Sequence, residues 1–288
     1  MSSRPDRTLH VLGVPLRSGS LVPGSEDDAR GLREAGLVER LRAAGCEVVN
    51  DGDVAIPSYL PHHTVPPIRS WPGPRIAWEC VAERVAPLLE QDGHIPVLIG
   101  CDCSVVAGTA QALLRAAGEV HVVYVDGDYD DASPVADRSN SAAAMAVWLL
   151  ARGAPFRDGP ALDPSRIIVL GATTPAQSDL PGLRAVELDE LRRLGAVATA
   201  RRALDAIPAS AAILVHFDTD SIRRRDMPSA YFPHEEGLTR DEAAGVLGVL
   251  LADRRVRLVE VSEYATLRDA DLSAARLIVD LLVGGLGR

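Results

Sequence analysis

Short runs rich in Val, Ile and Leu recur along the chain, apolar at consecutive positions, and longer stretches with apolar residues three and four apart lie between them. The runs at 9–14, 46–50, 95–99, 120–125, 166–170, 212–217 and 256–261 predict strands. The amphipathic stretches at 27–44, 75–91, 104–117, 139–151, 188–206, 240–252 and 272–286 predict helices. Thr239 followed by Glu242 is a capping-box signature for the helix at 240–252. Strands without a polar face, alternating with helices, imply a parallel sheet covered on both sides. No composition break or repeat interrupts the pattern, so one domain over 1–288 is expected. A non-periodic stretch at 57–74 holds six prolines and reads as a loop on the ligand-binding rim.

Charge narrows the functional classes. Forty acidic against thirty basic residues leave −10, which disfavours nucleic acid and anionic membrane as partners. Every basic residue is Arg, and without Lys a Walker A loop or a Schiff-base enzyme is excluded. No run of about twenty apolar residues and no cleavable leader pattern is seen, so a cytoplasmic location is expected. The four cysteines are too few for a disulfide framework, and Cys46 and Cys80 read as small buried hydrophobes.

The chemistry gathers at strand ends. Gly100-Cys101-Asp102-Cys103-Ser104, Val125-Asp126-Gly127-Asp128-Tyr129-Asp130-Asp131 and Phe217-Asp218-Thr219-Asp220 each follow a predicted strand. In a parallel sheet those ends share one edge, so the clusters can meet. Crowded carboxylates repel, and divalent cations are the simplest remedy. A lone Asp-x-Asp is often only a polar loop or a cap. A haloacid-dehalogenase phosphatase also uses Asp-x-Asp but normally needs a Lys, and a nucleotide-sugar transferase leaves the second motif unexplained; both stay as minor alternatives.

The order of motifs resembles the arginase and agmatinase (ureohydrolase) family, whose pattern runs Gly-Gly-Asp-His-Ser, Asp-Ala-His-x-Asp, Ser-x-Asn-x-His-Gly, Asp-x-Asp, Gly-Leu-Thr and Val-Glu-Val. The counterparts here are the turn at 100–104, Asp126 to Asp130, Ser139-Asn140-Ser141-Ala142, Asp218-Thr219-Asp220, Gly237-Leu238-Thr239 and Val259-Glu260-Val261. The resemblance implies a three-layer α/β/α fold with a mainly parallel sheet of about eight strands, and trimers or hexamers. It also implies two manganese ions sharing a hydroxide that attacks a guanidinium carbon. By position, Cys103, Asp126, Asp130 and Asp218 hold one ion and Asp126, Asp128, Asp218 and Asp220 the other. Glu260 matches the acid that holds the guanidinium, Asp130 orients the hydroxide, and Asn140 is left to meet a substrate carboxylate.

The departures from the pattern are informative. Cys103 and Asp128 replace both metal-binding histidines, so five carboxylates and a thiolate place −6, or −5 with a thiol, against +4. Extra negative charge weakens the ions as Lewis acids, and sulfur brings zinc or iron into competition with manganese. A Cys and an Asp at these positions resemble the branch of D-cycloserine biosynthesis that cleaves N-hydroxy-arginine to ornithine and hydroxyurea. An N-hydroxyguanidine is less basic and needs less activation. The Ala- and Arg-rich composition, like that of GC-rich bacterial genomes, suits a natural-product pathway.

Ala142 stands where the family has its proton-shuttle His, and His234 is the candidate replacement. The strand at 166–170 runs into Gly171-Ala172-Thr173-Thr174, without the Asp pair that grips a substrate amino group. His94, His121 and His216 read as structural, His62 and His63 as solvated, and Trp71, Trp78 and Trp148 as packing residues. Arg223, Arg224 and Arg225 suit a substrate carboxylate, a counter-charge to the acidic cluster, or a solvated loop. Two further readings stay open: a non-catalytic relative that keeps the fold, and a single-zinc, deacetylase-like amide hydrolase.

Overall fold

Strands that are apolar on both faces need cover on both sides, and the structure, a computed structural model, provides it. It describes residues 7–15, 27–57, 62–63, 66–177 and 179–287. The strands are β1 (Thr8–Gly13), β2 (Glu47–Asp53), β3 (His62–His63), β4 (Trp71–Pro72), β5 (His94–Cys101), β6 (Val120–Val125), β7 (Ile167–Leu170), β8 (Arg184–Val186), β9 (Ala212–Asp218) and β10 (Val256–Ser262). Eight of them form one sheet in the order β2-β1-β5-β10-β9-β6-β7-β8, with every pairing parallel. The remaining two, β3 and β4, make a small antiparallel ribbon within the Pro-rich stretch. The expected solvation of His62 and His63 concerns side chains outside the described residues.

The helices are α1 (Asp28–Glu34), α2 (Leu37–Ala43), α3 (Gly73–Leu89), α4 (Val106–Ala117), α5 (Ala146–Ala151), α6 (Leu188–Leu194), α7 (Ala196–Asp205), α8 (Arg240–Leu250) and α9 (Ser273–Leu286). Leu32, Leu41, Leu204, Val246 and Ile278 of α1, α2, α7, α8 and α9 pack on one sheet face, against Val97, Val215 and Val259. Val85, Leu113 and Val147 of α3, α4 and α5 pack on the other, against Leu98, Val122 and Leu214. A fully buried side chain of this kind contributes roughly 1.5–3 kcal/mol, so both layers are held by burial. Among the described residues no helix is long and apolar enough to cross a membrane.

Several boundaries differ from the sequence reading, each for a local reason. The helix expected at 27–44 breaks at Gly36 and the one at 188–206 at Gly195, both with positive φ. The helix expected at 139–151 begins only at Ala146, because Asn140 is extended and pairs with the Pro-rich stretch: its N–H donates to Pro67 O and its carbonyl accepts from Arg69 N. Strand β8 is only three residues long and half-buried, too short to show a period. Cys46 and Cys80 are half-buried rather than buried. The Thr239–Glu242 capping box forms with both of its hydrogen bonds.

Within this frame the four central neighbours β5, β10, β9 and β6 bring their C-terminal ends together. The turn after β5 depends on Gly100, at φ +74°, where a Cβ would lie 2.5 Å from Ala29 N. Gly100→Ala is therefore expected to lower stability by about 2–3 kcal/mol, from the strained backbone and the close approach to α1. Thr239→Ala, which loses only its cap, costs about 1 kcal/mol. Denaturant unfolding of both variants checks the ranking; equal losses would show that the turn tolerates a side chain.

Candidate metal centre

Strand alternation decides which polar groups meet. In β9, Ile213, Val215 and Phe217 face the core shared with α7, α8 and α9, leaving Leu214, His216 and Asp218 on the α3–α5 face. Register sets Tyr124 of β6 and Glu260 of β10 beside His216, and Ser262 beside Asp218. The apolar face thus turns polar at its C-terminal end. All of these side chains are buried.

Two groups of donors form there. Cys103, Asp126, His216 and Asp218 make the inner one, and Asp128, Asp220 and His234 the outer one; within each, one donor atom per residue lies within 4.8 Å of all the others. The Cys103 thiol donates to Asp218 Oδ2 at 2.6 Å, and its sulfur lies 3.3 Å from Ser262 Oγ. Backbone N–H groups fix the two Asp-x-Asp turns: Asp128 N donates to Asp126 Oδ1 (2.7 Å) and Asp220 N to Asp218 Oδ1 (2.8 Å). Asp130, at φ +49°, accepts from the Tyr124 hydroxyl at 2.7 Å through Oδ2. Thr174 donates to Asp128, and His234 Nε2 lies 3.3 Å from Asp128 Oδ2 and 4.0 Å from Asp220 Oδ1.

The electrostatics show what is missing from this arrangement. Burial, then the neighbouring carboxylates, push Asp126, Asp130 and Asp220 well above the ordinary carboxylate range. Burial followed by Asp218 and Asp130 raises the Cys103 thiol. Burial also works against ionised Asp128, but hydrogen bonding to His234 and Thr174 outweighs it and holds this carboxyl below its usual value. Asp128 in turn holds the His234 imidazole above its usual value, against opposing burial. Asp126 Oδ2 is buried without a hydrogen-bond partner. A buried carboxylate oxygen left orphaned among other acids is what a divalent cation satisfies, so these residues fit a metal centre.

All six residues expected as ligands lie in or beside this cluster; Asp130 joins it through Tyr124 and through its repulsion with Asp218 and Asp128. Glu260 sits beneath it with both oxygens engaged: Thr109 donates to one, and His216 Nδ1 lies 2.7 Å from the other. Glu263, three residues on and buried at φ +59°, is the acid whose charge reaches Cys103, Asp130 and Asp220. Asn140 donates through Nδ2 to Ser133 O at 3.0 Å in its own loop. Arg223 and Arg224 pair with Asp226 and Glu235, each at 2.6 Å, and Arg224 N donates to His234 O, bracing that loop. Sequence reasoning missed His216 and Glu263 as members of the site. The signals were the even spacing from His216 to Asp218 and the second acid after Glu260.

Fold and site together define a hydrolase of the α/β/α metal-dependent class. The profile of the Arginase family matches residues 7–285, and the chain belongs to that family, whose members cleave C–N bonds of linear amidines. It is 21% identical to arginase of Bacillus subtilis (strain 168), over 98% of this chain and 99% of the relative. Among solved structures it is similar to the arginase from Bacillus caldovelox, with TM-score 0.84, 20% identity and 98% of each chain covered. It also resembles the proclavaminate amidino hydrolase from Streptomyces clavuligerus, with TM-score 0.75, 19% identity, and 99% and 93% of the two chains covered.

The raised carboxyl values give a sign to the pH dependence. Without ions the folded chain binds these protons more tightly than the unfolded chain, so its stability falls as pH rises from about 4 toward the higher folded values. Bound cations hold the carboxylates ionised, so their stabilisation grows with pH. Thermal melts at pH 5.5 and 8 are expected to slope in opposite directions with chelator and with divalent metal. Parallel slopes would mean that the carboxylates take no ion.

Proposed function

We propose that this protein hydrolyses the C–N bond of a guanidine or N-hydroxyguanidine, with N-hydroxy-arginine going to ornithine and hydroxyurea as the best-suited reaction. The observation that carries this reading is the orphaned Asp126 oxygen within a buried crowd of acids. Cys103, Asp126, Asp130 and Asp218 would hold one cation, and Asp126, Asp128, Asp218 and Asp220 the other, with manganese, zinc or iron as candidates. When bound, such a pair supplies positive charge that makes water a nucleophile near neutral pH.

The chain's own residues handle substrate and protons. Tyr124 keeps its proton, because burial and Asp130 push its pKa far up, and it occupies one oxygen of Asp130. The other oxygen is left to orient a water molecule. Glu263, whose charge reaches Cys103, Asp130 and Asp220, is the carboxylate proposed to hold the guanidinium, with Glu260 turned to Thr109 and His216. Ala142, fully buried, can carry no proton. His234 stands part-exposed at the outer group and is proposed to pass a proton to the leaving amine. The bond from the central carbon to the substrate nitrogen breaks as that nitrogen takes the proton.

The preference for an N-hydroxyguanidine follows from charge. Replacing two neutral imidazoles with Cys103 and Asp128 makes the centre more negative and its ions weaker acids, which suits a less basic substrate. A cytoplasmic setting within a natural-product pathway accords with this reading.

Turnover assays with arginine and N-hydroxy-arginine, reading urea and hydroxyurea, test the proposal. Higher kcat/KM for the hydroxylated substrate is expected; a clear preference for arginine sinks the substrate assignment, and no turnover of any amidine by metal-loaded protein sinks the reaction. Glu263→Gln should raise KM about 10–100-fold, the worth of one charged hydrogen bond, with metal content unchanged. A larger effect from Glu260→Gln on KM alone would return that role to Glu260.

A further inference from the structure

The inner donor group contains an imidazole that the family pattern does not supply. We propose that His216 is itself a metal ligand, giving the inner half of the centre a Cys103, Asp126, His216, Asp218 donor set in which it takes the place that sequence position gave to Asp130. This rests on the metal reading above and says which atoms complete it.

The ring is held as a ligand's ring is held. Nδ1 lies 2.7 Å from Glu260 Oε2, and Thr109 donates to the other oxygen of that carboxylate. The imidazole stacks on Tyr124 at 4.2 Å with planes 4° apart, which fixes its rotation. A carboxylate on one nitrogen, with the other nitrogen directed at a metal, is the usual way a histidine ligand is oriented and made more basic. The other nitrogen, Nε2, is 2.9 Å from Ser262 Oγ, which also lies 3.3 Å from Cys103 Sγ and 3.4 Å from Phe217 O. Ser262 can therefore release the imidazole to an ion and keep a partner.

Distances and charge agree. The four donor atoms lie within 4.8 Å of one another, while a tetrahedral ion with bonds of 2.0–2.3 Å spaces its ligands about 3.3–3.8 Å apart. Closing onto an ion then takes movements of roughly an ångström, and Asp126 Oδ2 has no competing partner to give up. Imidazole adds a donor without adding negative charge, which matters where acids already outnumber what two ions neutralise. A set of one sulfur, one nitrogen and two oxygens also suits zinc better than manganese. His216 thus restores to the inner site the kind of ligand that Cys103 displaced, from β9, which β10 separates from the strand before Cys103.

The test is zinc-edge X-ray absorption on full-length His234→Ala protein loaded with two equivalents of zinc, so that the other nearby imidazole is absent. Sulfur and imidazole in equal numbers, about half of each per zinc, are expected, with the imidazole signal lost in the His216→Asn, His234→Ala double variant. Glu260→Gln, which loosens the ring, should weaken zinc retention 10–100-fold in equilibrium dialysis. Sulfur without imidazole, or imidazole that survives loss of His216, overturns the assignment while leaving the metal centre intact. Failure to bind zinc or manganese at all overturns both.

Discussion

Mutual repulsion among buried carboxylates is the constraint on which the rest of this structure turns. Asp126, Asp218 and Asp220, buried, and half-buried Asp130 are brought together by the C-terminal ends of adjacent strands. An uncompensated buried charge costs roughly several kcal/mol, comparable to the total stability of many domains. A chain bears that cost only if something offsets it. Protons do so at low pH; cations do so at the pH where a hydrolase works.

Much of the surrounding architecture keeps that crowd in place. The two apolar layers fix the sheet, and backbone amides of Asp128 and Asp220 hold the carboxylates of Asp126 and Asp218 in their turns. Gly100 lets the Cys103 turn pass over α1, and Arg224 braces the loop that delivers His234. Beneath them, Thr109, Glu260 and Tyr124 form a second buried polar layer that engages His216 and Asp130 of the layer above. The site is therefore two layers deep, and the lower layer sets the orientation of the upper.

The fold was largely legible in the sequence because both-face apolar strands and amphipathic helices leave unambiguous periods. The failures sit where a single residue overrides the period: Gly36 and Gly195 cut helices, and Asn140 leaves the helical pattern to pair with 67–69. The gathering of these acids was legible because each Asp-x-Asp follows a strand of one parallel sheet. The neighbours were harder. His216 looked structural because a histidine inside a strand usually is, and only the registry with Glu260 and Tyr124 shows what it faces. The choice between Glu260 and Glu263 likewise depends on which carboxylate Thr109 and His216 have already engaged, a fact of packing rather than of motif.

The most direct measurement is anomalous diffraction, with elemental analysis, from crystals of the full chain purified without chelator. The account predicts two ions per chain, one bounded by Cys103, Asp126 and Asp218 and the other by Asp128 and Asp220. Crystals with no ion between these side chains after soaking in manganese and zinc, and with the carboxylates still crowded as here, would contradict it.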